Sequence, residues 1–118
     1  MSAVYDHALK MIALKAAHKI GVRLREGVYV AVSGPAFETP ATIAMLKTLG
    51  ADLVGMSTIP EVTAARQMNA RVLGLSLITN YAAGRTKRPL THETHLKTAK
   101  TVEKKFIKLM EEIITRIN

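Results

Sequence analysis

Apolar positions along this chain alternate between a helical and a strand-like spacing. Between Tyr5 and Ile20 they fall at Leu9, Ile12, Ala13, Ala16, Ala17 and Ile20, which is one face of a helix. Gly21 follows where a helix end favours a left-handed residue. The run Val28-Tyr29-Val30-Ala31-Val32, bounded by Gly27 and Gly34, predicts a strand. Thr39-Pro40 then offers a hydroxyl cap and a first-turn proline, opening a helix through Ile43, Met45, Leu46 and Leu49 to Gly50. Asp52-Leu53-Val54-Gly55-Met56 predicts a second strand. Thr58, with Glu61 three residues later, has the spacing of a capping box, so a third helix is expected as far as about Asn69. The near-continuous apolar run from Arg71 to Ile78 predicts a third strand covered on both faces. A loop of turn-forming and basic residues, Thr79 to Thr91, leads into a last helix from about His92. Its apolar face is Leu96, Ala99, Val102, Phe106, Leu109, Ile113 and Ile117.

Strands joined by helices predict an α/β fold of three layers, α/β/α, around a mainly parallel sheet, with residues 1–118 in one domain. Folds of this class bind ligands at the carboxyl ends of their strands. That rule selects the loop after Val32, the turn after Met56 and the loop after Ile78.

Composition adjusts this picture only slightly. Of 118 residues, 48% are hydrophobic and 22% charged, which excludes a disordered chain. No apolar run approaches the roughly 20 residues of a membrane span, and the charge-interrupted first 21 residues do not read as a secretory signal. The lack of cysteine excludes disulfides and thiolate metal sites and fits a cytoplasmic protein. A net charge of +8 raises the question of nucleic acid. Arg85, Lys87 and Arg88 share one loop, and Lys97, Lys100, Lys104, Lys105 and Lys108 lie on the last helix. Nucleic-acid binders add stacking aromatics to such charge, whereas this chain has no Trp, two Phe and three Tyr. The basic residues therefore read as a solvated face, with a field that favours anionic substrates.

Candidate chemistry falls at the three selected places. Ser33 to Pro40 presents Glu38 just before a helix, where a carboxylate complements the helix dipole. Ser57 and Thr58 stand where a strand turns into a helix N-terminus, a place that suits phosphate. Thr79-Asn80 ends the third strand with an amide able both to donate and to accept. His92 and His95, three apart, could face the same way, but no further metal ligands stand nearby. Taken singly, each of these has an ordinary reading as dipole partner, cap, turn former or exposed histidine.

Together the segments are more informative. The pieces GVYV-x-V-x-GP-x-FETPA, LGAD-x-VGMST-x-PEV-x-x-AR, RVLG-x-SLITN-x-AAG and a later L-T-H-E occur in this order over most of the chain. They closely resemble purine nucleoside phosphorylases of the trimeric class. The resemblance implies reversible phosphorolysis of 6-oxopurine ribonucleosides such as inosine and guanosine to free base and ribose 1-phosphate. It places the base-reading carboxylate at Glu38 and the base-reading amide at Asn80. Phe37, Val54, Met56, Thr79 and Tyr29 line or adjoin the base and ribose pocket, Ser57 binds phosphate, and His92 meets the ribose 5′-hydroxyl. Glu38, Asn80 and His92 are the expected catalytic set. No metal or organic cofactor is implied, phosphate being a co-substrate.

The related methylthioadenosine phosphorylases typically lack a glutamate at the position of Glu38 and a histidine at that of His92. They carry threonine at the position of Ser57 and aspartate at that of Asn80. All four positions here take the nucleoside-phosphorylase form. The family's amino-terminal phosphate motifs are not found in the chain, which is expected to be the carboxy-terminal portion of the family pattern. The resemblance therefore implies an incomplete site, completed by a longer parent or a second chain, with trimeric assembly. The alternative is an inactive fragment that acts only in assembly or purine binding.

Overall fold

The computed structural model describes residues 3–86 and 92–117, leaving aside the side chains of residues 92–95 and 97. The elements in order are α1 (His7–Lys19), β1 (Tyr29–Ala31), α2 (Pro40–Thr48), β2 (Leu53–Gly55), α3 (Ile59–Gln67) and α4 (His92–Ile114). The expected α/β class is observed as four helices about a parallel two-stranded sheet.

Local chemistry explains the ends of α1 and α2. Asp6 caps α1 by accepting from the Leu9 N–H at 2.9 Å, and Gly21, at φ 68°, lets the chain leave. Thr39 caps α2 by accepting from Thr42 N–H, Pro40 occupies its first turn, and Gly50 turns away at φ 90°.

The core lies between α1 and α4. Ala13, Ala16 and Ala17 form a smooth strip on α1, against which Leu109 and Ile113 of α4 are buried. Ile12, Ile20, Val22, Leu24, Leu73 and Leu75 pack around this cluster. At its margin the Glu112 carboxylate accepts from Lys19 and Arg116, both at 2.8 Å. Lys19 first, and then Arg116, hold the Glu112 carboxyl below its ordinary value.

The sheet pairs Tyr29 with Leu53, Val30 with Val54 and Ala31 with Gly55. Beyond the ladder, the Val32 N–H donates to Gly55 O at 2.9 Å and the Asp52 carboxylate accepts from Val28 N–H at 2.8 Å. Both strands are shorter than the apolar runs that announce them.

Two local expectations are corrected. Residues 71–78 do not form a strand: the segment runs without helix, turn or bend, but pairs with neither β1 nor β2. A strand exists by pairing, and apolar periodicity cannot supply the partner. The segment is held instead by the start of the chain. Asp6 N–H donates to Val72 O at 2.8 Å, and its carboxylate takes the Arg71 guanidinium at 2.8 and 3.0 Å. The Tyr5 ring covers Gly74, where a Cβ would lie 2.9 Å from a ring carbon. Arg71 first, and then the Leu9 N–H, hold the Asp6 carboxyl well below the usual carboxylate range.

The Thr58–Glu61 capping box is also not made. Thr58 has φ 79° and its side chain gives no capping hydrogen bond, because a cap requires extended backbone at that residue. The helix still starts there, with Pro60 in its first turn, and Asn69 at φ 58° closes it.

Candidate functional site

Parallel pairing sends β1 and β2 out along the same edge, so the loops that follow them meet. Gly34 lies on Met56: a Cβ there would be 2.7 Å from Met56 Sδ. The loop carrying Phe37 and Glu38 therefore crosses the turn after β2 closely enough that a side chain at Gly34 would have to push the Met56 thioether aside. Gly84, at φ 75°, lies on Pro40, where a Cβ on the glycine would be 2.9 Å from Pro40 Cβ. This contact draws the loop after residue 78 onto the first turn of α2, two residues beyond Glu38. The third selected place thus joins the first without a ladder between them.

Val54 and Asn80 line one cavity of about 550 Å³ with Ile43, Leu46, Ile78 and Tyr81, and Gly50 to Leu53 extend its wall to the amino end of β2. Asn80 Oδ1 accepts from Thr79 Oγ1 at 2.8 Å, and Asn80 Nδ2 donates to Tyr81 O at 3.1 Å. Glu38 is half-buried on its loop, while Phe37 and Met56 stand open at 48% and 44% exposure. Neither Glu38 nor Ser57 lines the cavity of Asn80. His92 begins α4, and its side chain lies outside the described residues, as do Leu90 and Thr91 of the L-T-H-E piece.

Ser57 has a specific setting. Ile59 N–H donates to Ser57 O at 2.9 Å across Thr58, whose φ of 79° and ψ of −46° make the rarer, positive-φ form of γ-turn. A β-branched residue there carries strain of about 1–3 kcal/mol, which the surroundings must offset. Tyr29 Oη donates to Ser57 O at 3.1 Å and lies 3.4 Å from Ser57 N, whose N–H points to it. Ser57 Oγ and Thr58 Oγ1 are 3.2 Å apart. Sequence reasoning did not foresee this turn. Gly55 was the available signal, since glycine inside a strand marks a close approach, here of Tyr29.

Among the described residues no group of three His, Cys, Asp or Glu could hold a metal ion. No helix among them is long and apolar enough to cross a membrane.

An α/β sheet whose exit loops converge in this way is the setting of a small-molecule site. Residues 1–115 match the model of the phosphorylase superfamily, and the chain belongs to that superfamily. Within it, the chain is similar to purine nucleoside phosphorylases. Purine nucleoside phosphorylase 1 of Geobacillus stearothermophilus is 47% identical over 114 residues, covering 97% of this chain and 42% of that protein. The crystal structure of the Schistosoma mansoni enzyme with adenosine superposes with a TM-score of 0.93 at 36% identity, over 99% of this chain and 43% of that one. The Schistosoma enzyme with guanosine gives the same TM-score and identity over 99% of this chain and 44% of that one. The chain thus spans about two fifths of the length of the relatives it matches.

Proposed function

We propose that this chain supplies the purine-reading part of a nucleoside phosphorylase site, for reversible phosphorolysis of 6-oxopurine ribonucleosides such as inosine and guanosine. In the forward direction a phosphate oxygen attacks C1′, the bond from C1′ to N9 breaks, and the base leaves with the electron pair. Glu38 accepts the N1–H of the base. Asn80 hydrogen-bonds N7 or O6 as negative charge builds on the purine. Phe37, Tyr29, Val54, Met56 and Thr79 shape the base and ribose walls, Ser57 holds phosphate, and His92 meets the 5′-hydroxyl. The observation that carries this reading is the meeting of the loops after the strands, Gly34 on Met56 and Gly84 on Pro40, which gathers the segments of Glu38, Ser57 and Asn80.

The Schistosoma relative was crystallised with both adenosine and guanosine, so the bound ligands of relatives leave base choice undecided. The side chains favour the 6-oxo form, because adenine has a lone pair where Glu38 needs a proton. A phosphate held by Ser57 alone is not aligned for attack. The full site therefore needs polypeptide equivalent to the rest of the relatives' length, within a trimer.

The test is phosphorolysis of inosine by the purified chain, with and without the amino-terminal part of the Geobacillus relative. Activity is expected only from the mixture. Strong turnover by the chain alone would overturn the shared-site reading, and a mixture more active on adenosine than inosine would overturn the base assignment.

A further inference from the structure

We infer that Tyr29 is a positioning residue that holds the Ser57 turn in shape, and that Gly55 is small to let it do so. The inference rests on the proposed phosphate role of Ser57 for its meaning, although the geometry stands without it. Register pairs Tyr29 with Leu53 and Ala31 with Gly55, so Tyr29, Leu53 and Gly55 project from the same sheet face. From there the Tyr29 ring leans towards the carboxyl end of β2 and crosses Gly55. A Cβ on Gly55 would collide with Tyr29 Oη and lie 2.9 Å from Cζ and 3.1 Å from Cε2. Any side chain at Gly55 would push the ring off this path.

The ring delivers its hydroxyl to both polar groups of the Ser57 backbone. It donates to Ser57 O at 3.1 Å and stands 3.4 Å from Ser57 N. Ser57 O is also the acceptor of Ile59 N–H, the hydrogen bond that closes the γ-turn over Thr58. One carbonyl is thus pinned from two sides at the residue where the backbone enters a conformation that threonine rarely adopts. The side-chain hydroxyls of Ser57 and Thr58 lie 3.2 Å apart as a result. If the turn relaxes to ordinary backbone, Ser57 Oγ is no longer held in place. Tyr29 then affects phosphate through Ser57, without touching it.

The experiment compares the full 118-residue chain with Tyr29→Phe, Gly55→Ala and the control Tyr81→Phe, each isotopically labelled for nuclear magnetic resonance. In the unaltered chain, contacts between the Tyr29 ring and the Gly55 α-protons are expected, and their absence overturns the inference even if no variant folds. In Tyr29→Phe and Gly55→Ala, amide exchange at Ser57 and Ile59 should accelerate about five- to tenfold, the loss of one net hydrogen bond, with the Thr58 coupling constant moving to ordinary values. Tyr81→Phe should change neither. Unaltered exchange and coupling in both site variants would sink the idea. A titration with inorganic phosphate, read at the same amides, separates the two claims. An affinity weakened about threefold or more by Tyr29→Phe supports positioning for phosphate. Altered exchange with no phosphate response in any chain retains the positioning of the turn and removes the phosphate role of Ser57.

Discussion

Ile113→Ala tests where the stability of this chain resides. Ile113 is 2% exposed and packs among Ala13, Ala16, Ala17 and Leu109. The substitution removes three carbons, and at about 0.8 kcal/mol each the transfer loss is about 2.4 kcal/mol. The alanines opposite carry only a methyl group, which cannot swing into the gap, so a cavity cost on the order of 1 kcal/mol adds to this. The expected loss is therefore about 3–4 kcal/mol. Ile114→Ala is the matched control, the next residue on the same helix but 57% exposed. It should change stability by no more than about 0.5 kcal/mol, since alanine also favours helix slightly. Urea unfolding at pH 7, followed by far-ultraviolet circular dichroism, measures both. If Ile113→Ala costs less than about 1 kcal/mol, or no more than Ile114→Ala, then the α1–α4 seam is not the core that the packing describes.

Other substitutions test the anchors and the proposed site. The Asp6 carboxyl is held low in the folded chain, so its stabilisation is present above its unfolded value of about 3.9 and is lost as pH falls below that. Urea midpoints should therefore fall steeply below about pH 4 in the unaltered chain. Asp6→Asn should lower the midpoint at pH 7 and flatten that acid limb, and an unchanged limb would count against the Arg71 clasp. Thr39→Ala should cost about 1 kcal/mol through the lost cap on Thr42 N–H, readable in the same titration. In an assembled enzyme, Asn80→Asp should raise the ratio of adenosine to inosine turnover at least tenfold, roughly one misplaced donor. An unmoved ratio would remove Asn80 as base reader.

The parts legible in the sequence are those decided within a few residues. The alanine strip of α1, the Thr39-Pro40 entry to α2 and the glycines that follow both helices all carry their signals locally, and each formed. The Arg71–Ile78 run read as a strand because its apolar side chains demand cover. Two of them, Leu73 and Leu75, receive it from the α1–α4 core, while the backbone lacks the ladder partner that the name strand requires. Thr58 was misread for the complementary reason. Local preference argues against positive φ at threonine, and Ser57 is held by a hydroxyl from another strand, 28 residues earlier in the chain.

By itself the sequence determined the helices, the first two strands, the loops that carry the candidate residues and the family motifs. Tertiary structure alone decided how those loops meet, through Gly34 on Met56, Gly84 on Pro40 and Tyr29 across Gly55. Helix signals act between neighbours along the chain. A site depends on close contacts between residues far apart in sequence, and at those contacts the missing side chain of a glycine matters as much as the side chains present.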